Sequence, residues 1–173
     1  MKQRKCKYCK EKFDVKSNNH WLCSLDCFIE YDKEVKAKKW KKEKAKRKKE
    51  LMTLSDWLKI AQVTFNKYIR ERDKNNLCIS CQTIPKKKNA GHFRSVGGNP
   101  ELRFEELNCH LQCEYCNTFK HGNLLEYRKH LINKIGLDKV EWLESNHEPK
   151  KYSINEVKEL IEHYKQKIKE LKK

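Results

Sequence analysis

Two Cys-x-x-Cys pairs, Cys78/Cys81 and Cys113/Cys116, bracket a segment that carries His92, Asn108 and His110, and Asn117 follows the last cysteine directly. Zinc takes four soft ligands in a tetrahedron, and two such pairs supply them as thiolates. The bracketed segment is then closed like a loop on a clasp. It can be rigid with little hydrophobic core, because metal-binding free energy becomes folding free energy. A lone histidine is more often structural than reactive. Two histidines and two asparagines in and beside one clasped segment point instead to a site.

A second set stands near the N-terminus, Cys6-x2-Cys9 and Cys23-x3-Cys27. It reads as a second closed, structural zinc site, with Phe13, Trp21 and Phe28 as its few apolar contacts. His20 reads as a loop histidine; the alternative is that it replaces one cysteine as a ligand. The string WLCSLDC resembles small zinc-ribbon and treble-clef knuckles. The nine cysteines are an odd number arranged largely in CxxC and CxxxC pairs. That fits metal in a reducing compartment better than disulfides. The opening MKQRKCKYCK has no apolar signal core, and no stretch approaches the roughly 18 apolar residues of a membrane span. The expectation is a cytoplasmic protein with no membrane contact.

The clasped segment resembles the HNH endonuclease motif, a ββα-metal finger. In that motif a histidine ends the first strand, an asparagine sits on the second, and His or Asn follows the second CxxC. His92, Asn108 and Asn117 stand at those positions, with Asn108 five residues before Cys113. The strings AGHFRS, PELRF, NCHLQC and C-x-x-C-N-x-x-K-x-G-N, with IRERDKNNLCISC upstream, resemble the lambdoid phage NinG (Rap) recombination protein family. The resemblance covers most of the chain and is strongest over residues 57–144. It implies a metal-dependent, structure-specific DNA endonuclease in the host cytosol, acting on Holliday junctions and D-loops during phage recombination.

Phosphodiester hydrolysis needs a base for water, positive charge for the pentacovalent phosphate, and neutralisation of the leaving oxygen. A neutral histidine suits the first task. A single hard divalent ion, Mg²⁺ or Mn²⁺, suits the other two. By resemblance, His92 is the general base, Asn108 orients it across the hairpin, and Asn117 holds the ion through its amide oxygen. One position departs from the family. Many members carry an acidic metal ligand directly before the first histidine, where this chain has Gly91. A further ligand then has to come from elsewhere. His110 is the first candidate, two residues from Asn108 and on the same strand face, followed by Asp73, Glu105 and His121. The roles of His92 and His110 could be exchanged, or both could hold the ion. Cys109, of opposite parity, reads as a packing thiol.

The net charge is +17, from 41 basic and 24 acidic residues. Such an excess seeks a polyanion, most simply nucleic acid. Lys86, Lys87, Lys88, Arg94, Arg103, Lys120 and Arg128 surround the finger and would contact DNA phosphates without reading sequence. Preference for branched DNA is implied by the resemblance alone. Symmetric resolution of a junction needs two active sites, which suggests a homodimer. Two other readings stay open. One is a non-catalytic, zinc-containing scaffold that binds nucleic acid or recombination proteins, with Gly91 marking a degenerate site. The other is an RNA-binding or ribosome-associated zinc protein.

These groups need elements to position them. At 37% hydrophobic and 38% charged, the chain is too polar for one large core. The expected class is α+β: a small zinc-stapled ββα-metal (HNH-like) finger surrounded by helices, with an N-terminal zinc-ribbon or treble-clef-like knuckle. Four modules are expected: a zinc module over 1–31, a basic helical linker over 32–52, a nuclease-like core over 53–145, and a C-terminal amphipathic helix over 146–173. Eleven of the nineteen residues of 32–50 are Lys or Arg, so that stretch reads as a solvated helix or a frayed linker. Thr53 or Ser55 caps a helix over 53–74 whose apolar face is Trp57, Ile60, Ala61, Phe65, Tyr68 and Ile69. Strands are expected near 90–94 and 108–112, with a helix opening at Cys116–Asn117. A further helical stretch runs over 123–145, with Gly136 as a stop. The last helix starts at Ser153, where Glu156 completes a capping box. Its stripe, including Val157, Ile161, Tyr164 and Ile168, packs inward or pairs with another copy.

Overall fold

A computed structural model describes residues 2–172, so Met1 and Lys173, the outermost residues of the two terminal modules, lie outside the described residues. The chain divides into two compact units, 1–52 and 53–173.

The first unit opens with an antiparallel hairpin, β1 (Gln3–Lys5) and β2 (Lys12–Asp14). Helix α1 (Leu25–Glu50) follows. Ser24 caps it by accepting a hydrogen bond from the Cys27 backbone N–H at 3.2 Å. The spacing of Cys23 and Cys27 therefore seats the first helical turn on the cysteine set. The boundary expected at 31/32 is corrected accordingly: it falls inside one continuous helix. The basic stretch is not a frayed linker, because it lacks Gly and Pro and is rich in strong helix formers. Ion pairs at helical spacing line it, Glu30–Lys33 and Asp32–Lys36 at 2.7 Å and Glu34–Lys38 at 3.5 Å. Each adds only a few tenths of a kcal/mol. No residue of α1 is buried, and among the described residues of this unit only Cys6 is. Phe13, Trp21 and Phe28 do not close a core: Trp21 is 43% exposed and Phe28 55%.

The second unit is a β-hairpin covered by helices. Helix α2 (Leu54–Arg72) starts at a capping box between Thr53 and Asp56. It buries Trp57, Ala61, Phe65, Tyr68 and Ile69, while Ile60 falls off that stripe and is exposed. Helix α5 (Ile154–Glu170) starts at the Ser153/Glu156 capping box and lays Val157, Ile161, Tyr164 and Ile168 against α2. Phe65 meets Tyr164 edge to face at 5.0 Å, and the Tyr164 hydroxyl donates to the Phe104 carbonyl at 3.1 Å. The stripe is thus covered within the chain. The boundary expected at 145/146 is also corrected, because the last helix shares a core with α2.

Strands β3 (Lys88–His92) and β4 (Cys109–Cys113) pair antiparallel, with His92 opposite Cys109 and Gly91 opposite His110. Asn108 ends a 3-10 turn just before β4. After the second CxxC the chain makes a π turn over Tyr115–Phe119, where an ordinary helix was expected. The turn lets the backbone double back: the Gly122 N–H, at φ +92, donates to the Cys116 carbonyl at 2.8 Å. Helices α3 (Leu124–Ile135) and α4 (Leu137–Glu144) meet at Gly136, whose φ of +92 ends the first. Ile79, Phe93, Leu102, Tyr127, Leu131, Val140 and Leu143 form the core beneath them. Among the described residues no helix is long and apolar enough to cross a membrane.

Candidate functional site

The two cysteine sets assemble as their spacing demands. The sulfurs of Cys6, Cys9, Cys23 and Cys27 all lie within 4.8 Å of one another, and so do those of Cys78, Cys81, Cys113 and Cys116. A tetrahedron with Zn–S bonds of about 2.3 Å has S···S edges of about 3.8 Å. Observed edges include 3.5 Å for Cys9–Cys23, 3.4 Å for Cys23–Cys27 and 3.8 Å for Cys81–Cys113, too long for disulfides. All nine cysteines are free. Without a cation the four sulfurs of a set do not ionise together: against burial, hydrogen bonds lower Cys6 and Cys81 to about 6, while their neighbours are pushed the other way. Hydrogen bonds to Cys27 and then Cys9 push the Cys23 thiol up to about 12. Burial, then Cys81 and Cys113, pushes Cys116 up to about 12. A bound Zn²⁺ reverses that preference and takes all four as thiolates. Both sets can hold zinc, and His20 belongs to neither: its Nδ1 accepts from the Lys16 N–H at 3.2 Å.

His92, at the end of β3, is half-buried and lines an open cleft of about 560 Å³. Its ring packs near Phe65 at 5.9 Å. Nε2 lies 3.1 Å from the Arg103 carbonyl. A carbonyl only accepts, so Nε2 carries the proton and Nδ1 the lone pair. Nδ1 lies 3.6 Å from the sulfur of Cys109, whose pKa burial holds well above the usual thiol range. Cys109 therefore stays an S–H and can donate weakly to Nδ1. It belongs to neither sulfur set, as expected of a packing thiol. Burial first, and the nearby Arg103 charge, lower the pKa of His92, so the ring is neutral at pH 7. The cleft is completed by Leu54, Ser55, Leu58, Lys59, Gln62 and Asn66 of α2, with Val96 and Arg103. It contains two cations and no carboxylate, a polarity that suits a phosphate.

His110 does not share this site. Residues opposite each other in a pair share a face, so His92 and Cys109 lie on one face of the hairpin and Gly91 and His110 on the other. His110 is buried, and both its nitrogens are committed. An Arg72 N–H donates to Nδ1 at 3.1 Å, and Nε2 donates to the Leu107 carbonyl at 3.1 Å. A ring whose lone pair faces a guanidinium does not ligate a cation. The expectations that His110 supplies the missing ligand, exchanges roles with His92, or shares an ion with it are thereby corrected. Asp73 is committed as well. It accepts from Arg72 at 2.9 and 2.8 Å and from the Leu111 N–H at 3.1 Å. Glu105 accepts from the Leu107 N–H, and His121 is exposed at a φ of +47.

The pKa of Asp73 is far below the usual carboxylate range. Burial opposes this, but the Arg72 guanidinium, which donates to both carboxylate oxygens, and the Lys134 ammonium 3.8 Å away outweigh it. A depressed folded pKa gives stability that is complete above the unfolded value of about 3.9 and is lost as pH falls below it. Asp73→Asn should cost about 3 kcal/mol at pH 7, the low end for breaking a buried ion pair, because it leaves the partly exposed Arg72 without its carboxylate. In urea unfolding, the gap between the variant and the native protein should narrow as pH falls below about 4. A pH-independent gap would show that the ion pair is not its source.

Gly91 has a packing reason. A Cβ there would meet Gln112 Oε1 at 2.1 Å and its Cδ at 2.9 Å. Gln112 is fully buried and cannot step aside. Its Nε2 donates to the Ser80 hydroxyl at 2.6 Å and to the Gly122 carbonyl at 2.5 Å. Those partners fix the amide, so Oε1 faces Gly91. An acidic side chain at 91 and this Gln112 exclude each other. Gly91→Ala should destabilise the protein by about 3 kcal/mol, the upper end for overpacking. Adding Gln112→Ala should recover part of that loss in urea unfolding. A stable Gly91→Ala protein would show that Gln112 can move.

Asn108, also fully buried, acts as a clamp. Its Oδ1 accepts from the Arg94 N–H at 2.7 Å, and its Nδ2 donates to the carbonyls of Arg94 and Leu102 at 3.0 and 3.1 Å. It makes no bond to His92 itself. It fixes the loop that starts just after His92 and returns Arg103 to it. Asn117 lies half-buried in the π turn. Among the described residues no hydrogen bond joins it to His92, Asn108 or His110.

The expected phosphate contacts differ in availability. Lys86 is exposed. Lys87 pairs with Glu114, Lys88 donates to the Lys74 carbonyl at 2.6 Å, and Lys120 lies over the Tyr115 ring at 5.2 Å. Arg128 makes a two-pronged pair with Glu144 at 2.7 and 2.9 Å, so a phosphate there would compete with that carboxylate. Arg94 donates to Asn99 at 3.4 Å, and Arg103 reaches the His92 cleft. Lys59, Gln62, Asn66 and Gln112 were not anticipated as site residues. The first three fall at helical spacing on the polar side of α2, which is the signal that could have found them.

Hairpins, helices and two four-sulfur sets define a small α+β protein with two sites able to hold zinc. The chain belongs to the bacteriophage lambda NinG protein family, whose model matches residues 1–173. It is 39% identical over 189 residues to protein ninG of Escherichia phage 933W, covering 98% of this chain and 94% of that relative. The corresponding protein of Escherichia phage lambda is 39% identical over 191 residues, and that of Salmonella phage P22 is 38% identical over 191, with the same coverage. No solved structure matches the chain.

Proposed function

We propose that this NinG-family protein is an endonuclease that hydrolyses DNA phosphodiesters in branched recombination intermediates. The observation that carries the reading is His92: neutral, with its lone pair fixed on Nδ1, in a cleft that holds Lys59 and Arg103 and no carboxylate. In that role Nδ1 exchanges the weak S–H contact of Cys109 for a water, takes its proton as the water oxygen bonds to phosphorus, and the P–O bond to the sugar breaks with the leaving oxygen protonated from solvent. Lys59 and Arg103 balance the charge of the pentacovalent phosphate. Asn108 holds the loop that brings Arg103 to His92.

The resemblance to HNH enzymes implies a catalytic Mg²⁺ or Mn²⁺. The described residues do not assemble hard oxygen ligands beside His92, because position 91 has no side chain and His110 lies on the other face. Among the described residues Asn117 and His121 are the expected ligands with no side-chain hydrogen bond, and neither is joined to His92. Branch preference rests on the family resemblance, and DNA as partner on the +17 charge.

Labelled four-way junction, D-loop, linear duplex and single strand, each with Mg²⁺, Mn²⁺ or EDTA, test the reading. Cleavage of the branched substrates is expected, and an added arm with neither divalent ion nor chelator shows whether an ion enters with the DNA, since EDTA also strips zinc from the cysteine sets. Gly91 favours a second reading, a non-catalytic zinc-containing nucleic-acid scaffold. Binding of junctions without cleavage under every ion would establish it.

A further inference from the structure

The N-terminal unit holds an aromatic surface that zinc binding does not use. Trp21, Phe28, Tyr31, Phe13 and His20 line a cleft of about 800 Å³. Phe28 is 55% open to solvent and Trp21 43%, the latter with cations over part of its ring. Lone exposed apolar residues are ordinary, but a group of them gathered in one cleft marks a binding site. What covers it follows from charge. The Arg4 guanidinium lies 3.8 Å from the Trp21 ring centre, and the Lys7 ammonium 4.4 Å. Lys16 also lines the cleft, against Asp14 and Asp32. Helix α1, which supplies Phe28 and Tyr31, continues as an exposed basic rod. Residues 1–52 hold 18 basic and 8 acidic side chains, so they carry +10 of the chain's +17.

Aromatic rings set among phosphate-seeking cations match one ligand chemistry, an unpaired nucleobase with its flanking phosphates. A protein partner of ordinary acidity would satisfy the cations but would not need ring faces. A duplex would satisfy the cations but keeps its own bases stacked. We infer that the Trp21–Phe28 cleft binds unpaired bases, and that α1 carries the adjoining phosphates. The inference rests on the nucleic-acid part of the function proposed above, not on cleavage. It gives the unit a task that a branched substrate supplies, since branch points expose unpaired or easily unpaired bases.

The test uses the full-length zinc-loaded protein with labelled oligothymidylate and oligouridylate of about 15 nucleotides, a blunt duplex and a four-way junction. Trp21→Ala and Phe28→Ala change exposed side chains, and zinc content confirms that each variant keeps its fold. Each is expected to weaken single-strand binding about tenfold and to leave duplex binding within about twofold, and Trp21→Phe is expected to restore most of the loss. The two oligonucleotides show whether DNA or RNA supplies the base. Unchanged single-strand affinity in both alanine variants, or equal losses on duplex, would overturn the base site while leaving junction binding by the native protein intact. Native protein that bound no nucleic acid would overturn the proposed function as well.

Discussion

Removing zinc with a strong chelator is expected to unfold residues 1–52 and to open the clasp around residues 78–116. In the first unit, among the described residues, only Cys6 is buried, and α1 buries nothing. A 26-residue helix with no buried face has little besides local ion pairs to hold it against a three-residue hairpin. Structural zinc contributes about 10–16 kcal/mol to folding in small finger peptides, more than any other interaction available here. The second unit has a hydrophobic core, so α2 and α5 should survive chelation while the finger loosens. Cys113→Ser tests the finger alone. It should lower bound zinc from two ions per chain to one and abolish both DNA binding and cleavage by the finger. Metal analysis and circular dichroism read both effects. A Cys113→Ser protein that kept both ions and its activity would refute the clasp.

His92→Ala is expected to lower the cleavage rate by about 10²–10⁴-fold, the range for losing a general base. Junction affinity should stay within a few-fold, because phosphate contacts supply it. The pH dependence has a defined sign. Burial lowers the His92 pKa below its usual 6.5, and only the neutral ring can accept a proton. The rate should therefore be flat through neutral pH and fall as pH drops through a midpoint below about 6.5. A midpoint above that value would place another group in the role.

The two sulfur sets were legible from spacing alone, because zinc geometry leaves cysteine pairs little freedom. The capping boxes at Thr53 and Ser153 and the stripes of α2 and α5 were equally legible, since each is a local pattern. The module boundaries were less so. Composition changes near residue 31, but α1 is nucleated inside the cysteine set at Ser24, and a helix does not stop where its composition shifts. The stripe of α5 did not disclose its partner, because an apolar face reads the same whether α2 or a second copy covers it. The site was half legible. Parity on β4 gave the opposite faces of Cys109 and His110. It could not show that Arg72, nearly forty residues upstream, fills the lone pair of His110. Nor could it show that Gln112 reaches across to Gly91. Both are contacts between distant parts of the chain, and they turn a suspected ligand and a suspected defect into packing.

The most direct measurement is single-turnover cleavage of a labelled four-way junction by the native protein and by His92→Ala, at protein concentrations that saturate both. With His92 as the base, the native protein cuts and the variant is slower by at least about a hundredfold at equal occupancy. Equal rates in the two proteins, or no cutting by either with the junction bound, would contradict it.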